Sequence, residues 1–144
     1  MLDKRKIMLC YPAGELWQRG EDRSQGVIST SAATAMRAPN DLGYAASVLL
    51  AGNYDVYLKD YQTERLSLKD VKADILRERP EMILISTTNG SIFDDLKFVH
   101  AIKDWTDAKI VLKGAIFWNL YTLYICKQYS RERKNVIYSR NYYK

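Results

Sequence analysis

Four short stretches of the chain are apolar on nearly successive positions: Ile7–Tyr11, Val56–Asp60, Met82–Thr87 and Ile110–Lys113. Such runs, without the strict alternation of a half-wetted sheet, predict strands covered on both faces. Between them the apolar residues recur every three or four positions, which is the helical period. Asp41–Ala51 places Leu42, Ala45, Ala46, Leu49 and Leu50 on one face. Leu68–Arg79 does the same with Leu68, Val71, Ile75 and Leu76, and Ser67 stands before it as an N-cap. Ile92–Trp105 lines up Ile92, Leu96, Val99, Ile102 and Lys103, with Ser91 and Asp94 near its start.

Strict alternation of strand and helix predicts a parallel sheet with helices on both faces, joined by right-handed crossovers. The expected fold is α/β, Rossmann-like (flavodoxin-type), with strand order 2-1-3-4 and a fifth strand beyond. In that order the first and third strands flank a switch point, and ligands bind beyond the carboxyl ends of the strands. One connection stands out there. From Ala13 to Pro39 the chain runs through "LWQRGEDRSQG" before the first helix begins, whereas such connections usually span only a few residues. The third strand runs into "STTNGS" and the fourth into "KGAIFWN". Small hydroxyl residues and glycines let a ligand approach the backbone, so this edge is the expected binding crevice.

Composition narrows the class. The 144 residues are 47% hydrophobic and 27% charged, enough for one packed core. No run approaches the roughly 20 apolar residues that span a bilayer. The apolar run near the N-terminus is too short for a signal peptide and meets Pro12, so a cytoplasmic protein is expected. Cys10 falls in a strand and is expected as a buried free thiol, and neither it nor Cys126 belongs to a metal-spacing motif. The net charge of +5 lies entirely in residues 120–144, which hold six basic residues, one acid and six of the eleven tyrosines, while residues 1–119 balance. The basic bias therefore carries no message about what the body binds.

Familiar chemistries fail on spacing. Gly14, Gly20 and Gly26 are too far apart for a dinucleotide-binding turn, and no phosphate-binding P-loop is present. A phospho-acceptor domain needs an Asp after the third strand, where this chain has Ser86, Thr87 and Thr88. Glu15, Glu21, Asp22 and Ser24 are the loop candidates for acid–base work. The single histidine, His100, falls within a helix beside Val99 and reads as structural. No catalytic constellation emerges.

The loop "QRGEDR", the helix entry "MRAPNDLGYAA" and the strand end "ISTTN" resemble the N-terminal cobalamin-binding domain of radical SAM enzymes, over about residues 5–119. The subgroup resembled is the anaerobic magnesium-protoporphyrin monomethyl ester cyclase-like one. The resemblance implies a base-off cobalamin across the carboxyl edge, its nucleotide tail in a slot between the first and third strands. Tyr11, Pro12 and Gly14 would border the corrin and slot. Ser86, Thr87, Thr88 and Asn89 would line the tail, and Gly114 and Ala115 would let it pass the fourth strand. Glu21, Asp22 and Arg23 would lie over the corrin or face a catalytic domain.

The chain departs from this pattern in three ways. No histidine motif follows the first strand, so a His-ligated cobalt is not expected. Two cysteines cannot supply the Cys-x-x-x-Cys-x-x-Cys iron–sulfur motif, so no cluster is expected in this chain and any radical SAM catalytic domain would act in trans. The resemblance stops near Asn119, and the tail reads either as the end of a truncated gene product or as a helix over Leu120–Arg133 with a makeshift strand over Asn135–Ser139. An uncovered sheet edge there invites homodimerisation. The competing reading is an interaction or nucleic-acid-binding protein that uses the Tyr-rich tail, where rings stack bases and Arg and Lys meet phosphates.

Overall fold

The computed structural model describes residues 4–17, 38–88 and 90–114, together with the strand at 136–139. The elements run β1 (Lys6–Tyr11), α1 (Asn40–Ala51), β2 (Asp55–Asp60), α2 (Leu68–Glu78), β3 (Met82–Ser86), α3 (Ile92–Lys103), β4 (Lys109–Lys113) and β5 (Val136–Ser139). All strand pairs are parallel, in the order β2-β1-β3-β4-β5. This is the α/β, Rossmann-like arrangement that the alternation predicts, with the switch point between β1 and β3. The helix expected over Leu120–Arg133 and the long loop from residue 18 to residue 37 lie outside the described residues. No helix among the described residues is long and apolar enough to cross a membrane.

The pleat sorts the strand residues into two layers. Met8, Cys10, Ile83, Ile85, Ile110 and Leu112 face α2 and α3, where Val71, Ile75, Ile92, Leu96, Phe98, Val99 and Ile102 close the larger core. Ile7, Leu9 and Tyr11 face the other way, against Leu42 and Ala46 of α1. Chain reversal at the switch point explains the split. A uniform crossover hand puts the β1–β2 helix on one face and the helices of the returning connections on the other. Cys10 is a buried free thiol, and burial pushes its pKa far up, so it is inert.

The helices turn further outward than their apolar spacing predicts. Leu50 of α1 is exposed, and so are Leu68 and Leu76 of α2. In α2 a carboxylate takes an inner position instead. Buried Asp74 accepts hydrogen bonds from the hydroxyls of Tyr57 and Tyr61, each at 2.9 Å, and pairs with Arg77 at 2.7 Å. Tyr61 is itself fully buried, so this carboxylate satisfies a hydroxyl that water cannot reach. Ser67 begins α2 as predicted: the Asp70 carboxylate reaches back to accept from its backbone N–H at 2.8 Å and its hydroxyl at 2.7 Å.

Candidate functional site

The last residues of three adjacent strands stand level with one another at the carboxyl edge. Ser86 of β3 is paired in register with Lys113 of β4, and Tyr11 of β1 follows Cys10, which is paired with Ile85. By the alternation of the pleat, all three side chains lie on the α1 face. There they converge on Asp41, in the first turn of α1. The Tyr11 hydroxyl donates to Asp41 Oδ1 at 2.8 Å, and the Ser86 hydroxyl donates to Oδ2 at 2.7 Å. Lys113 Nζ donates to Oδ2 at 2.7 Å. Burial works against the Asp41 charge, but the Lys113 ammonium and the Ser86 and Tyr11 hydroxyls outweigh it and hold the carboxyl below its usual range. An ionised carboxylate with these donors is a poor base for Ser86, so the row is suited to binding rather than to nucleophilic chemistry.

Beneath the polar row runs an apolar groove of about 430 Å³. Its floor is Ile7 and Leu9 of β1 beside Met82 and Leu84 of β3, and its wall is Tyr44, Ala45, Val48 and Leu49 of α1. Tyr44 and Val48 are 76% and 72% exposed, so the groove opens to solvent along the helix. The groove lies on the same face of β1 and β3 as the polar row, toward the amino ends of the strands.

The other strand-end residues go elsewhere. Thr87 bonds across to β4, its N–H donating to the Lys113 carbonyl at 2.8 Å and its hydroxyl at 3.1 Å. Thr88 and Ser91 share a hydroxyl–hydroxyl bond at 2.8 Å, and Ser91 donates to buried Asp95 at 2.7 Å, which fastens the start of α3. Gly114 has its own packing reason. A Cβ there would come within 2.8 Å of the Thr87 carbonyl oxygen and collide with the Thr87 hydroxyl. Gly114→Ala is therefore expected to cost about 1–3 kcal/mol, because that carbonyl belongs to fixed backbone. A thermal melt would show the loss, roughly 3 °C per kcal/mol at this chain length.

Just beyond β1, Pro12 is buried and Gly14 is exposed with φ of 144°, a conformation that favours glycine. The chain beyond is tied toward β2 by a bond from Gln62 Nε2 to the Glu15 carbonyl at 2.5 Å. It then presents a buried Trp17 indole N–H that finds no acceptor among the described residues. Glu21, Asp22, Arg23, Ser24, Asn89 and Ala115 lie outside the described residues.

The structure thus brings Tyr11 and Ser86 together at the carboxyl edge, beside Asp41 and Lys113, which spacing alone did not single out. His100 belongs to α3, which packs on the opposite face of the sheet. Among the described residues no group of three His, Cys, Asp or Glu side chains could hold a metal ion. No family model matches the sequence, and neither the curated proteins nor the solved structures give a match.

Proposed function

We propose that this chain is a cobalamin-binding module of the radical SAM kind, acting with a catalytic domain rather than as a catalyst by itself. What supports the reading is the polar row at the carboxyl edge together with an apolar groove on the same face of the sheet. A benzimidazole base is flat and apolar and suits a groove lined by Ile7, Leu9, Met82, Leu84 and the α1 wall. Its volume of about 430 Å³ lies within the range of small-molecule sites. The ribose and phosphate of the same tail are polar and anionic, and would suit the Tyr11 and Ser86 hydroxyls and the Lys113 ammonium in place of the Asp41 carboxylate that they hold here. Pro12 and Gly14 beyond the first strand would border the corrin, and Thr88 beyond the third would line the tail. With His100 on the far face, cobalt would be held base-off without a histidine from this chain. Bound cobalamin would supply alkyl-transfer chemistry at cobalt, while the residues named here bind and orient it.

Titration with hydroxocobalamin tests this reading. Uptake should change the visible spectrum of the corrinoid, and no change at high micromolar cobalamin would sink the proposal. A second titration isolates the groove. Cobinamide lacks the nucleotide tail, so it should bind at least about tenfold more weakly, a difference of roughly 1.4 kcal/mol. Equal affinity for the two would remove the groove from the site while leaving the corrin contacts.

A further inference from the structure

We propose that Tyr11, Ser86 and Lys113 form a receptor for an oxyanion, a phosphate or carboxylate group, and that Asp41 fills it from within the chain. Three donors from three adjacent strands meet at one carboxylate. Tyr11 and Ser86 are only 7% and 4% exposed, so the sheet fixes where their hydroxyls can point. The ammonium of Lys113 supplies the positive charge and stays partly open to solvent, with a quarter of its side chain exposed. The acceptor is of a different kind. It belongs to the first turn of a helix, not to the sheet.

First-turn acids commonly serve their own helix by accepting from its free N–H groups. Asp41 instead turns both oxygens to the sheet, and the residue at the cap position of α1, Pro39, offers no side-chain acceptor. The carboxylate thus occupies the place of a bound anion. A tethered group competes at an effective concentration in the millimolar range, so a free anion must displace it or meet a chain in which it has been neutralised. The receptor shares its three donors with the cobalamin reading, in which the tail's phosphate meets the same row, but the two fail separately: an inorganic anion needs only the row, whereas the corrinoid's base also needs the groove.

Asp41→Asn tests it, since the amide keeps the size and an acceptor oxygen but leaves the Lys113 charge unpaired. By calorimetry at neutral pH, Asp41→Asn should bind inorganic phosphate at least about tenfold more tightly than the unaltered chain, and the Asp41→Asn/Lys113→Met double variant should lose that gain. Acetate run in parallel separates the two ligand chemistries: a gain for acetate alone identifies a carboxylate site, and a gain for phosphate identifies a phosphate site. No gain for either anion, or a gain that survives Lys113→Met, would overturn the proposal. If Asp41→Asn does not fold, the unaltered chain decides. Phosphate at tens of millimolar should shift the backbone amide resonances of Ser86 and Lys113 selectively, and unmoved resonances would reject the receptor.

Discussion

Leu9→Ala is expected to destabilise the protein by about 2–5 kcal/mol, while Val48→Glu, in the wall of the same groove, leaves stability within about 0.5 kcal/mol. Leu9 is fully buried in β1, which is hydrogen-bonded to β2 on one side and β3 on the other. It packs with Ile7, Tyr11, Leu42 and Ala46 in the smaller core. Truncation removes its transfer free energy and leaves a cavity that three bonded strands cannot easily close. At roughly 3 °C per kcal/mol the melting temperature should fall by about 6–15 °C. Val48, by contrast, is 72% exposed and contributes its outer surface to the groove rather than to the core. A carboxylate there opposes both an apolar base and a phosphate. Val48→Glu should therefore weaken cobalamin uptake by about tenfold or more while the melt stays put. A melt that moved as far for Val48→Glu as for Leu9→Ala would mean that the groove wall is core, not site.

The contrast between Leu9 and Val48 also explains what the sequence could and could not reveal. The Ile7–Tyr11 run is apolar on both sides because helices cover both faces of β1, whereas in β4 Ile110 and Leu112 are buried and Val111 on the other face is half-buried. The alternation implies a parallel sheet, the flavodoxin-type order is the one favoured among the open orders, and the long loop after β1 then points to the carboxyl edge. β5 appears at Val136–Ser139, within the stretch "NVIYS" whose strand chemistry is legible despite its basic surroundings. Helix faces were less legible. Leu50 and Leu76 keep the helical period but lie at the margin of their apolar stripes, and Leu68 is the first residue of its helix, so packing leaves all three exposed.

The site was half legible for a similar reason. Tyr11 and Ser86 could be placed at the crevice because they end strands flanking the switch point. Asp41 and Lys113 are 72 residues apart and read singly as a first-turn acid and a strand-end base. Only the register of β3 with β4 sets Lys113 beside Ser86, and only the seating of α1 brings Asp41 down onto both. One signal was available: Tyr11, Ser86 and Lys113 each stand at or next to the end of an apolar run, and the register that pairs Cys10 with Ile85 and Ser86 with Lys113 then sets all three on one face.

Asp74 makes the same point from the other side of the sheet, and its replacement carries the second large expected effect. Asp74→Ala should cost roughly 2–4 kcal/mol, through the loss of hydrogen bonds to an ionised acceptor and the stranding of a buried hydroxyl. Tyr61 is fully buried, and burial, then its bond to Asp74, pushes its pKa far up, so it can answer the loss only as an unpaired donor. Tyr57 is less affected because it is only half-buried, so water can accept from its hydroxyl while Arg77 continues to donate to its oxygen at 3.2 Å. The Arg77 side chain is 58% exposed, so losing its ion pair to Asp74 adds little. Two companion variants separate these causes. Asp74→Asn keeps an acceptor oxygen and should recover most of the stability. Tyr61→Phe in the Asp74→Ala background removes the stranded hydroxyl and should also recover part of it, giving a coupling of about 1 kcal/mol or more in a double-mutant cycle. If Asp74→Asn melts as low as Asp74→Ala, or the cycle shows no coupling, the carboxylate's worth lies in its charge or its packing and not in the two tyrosine hydroxyls that it anchors between β2 and α2.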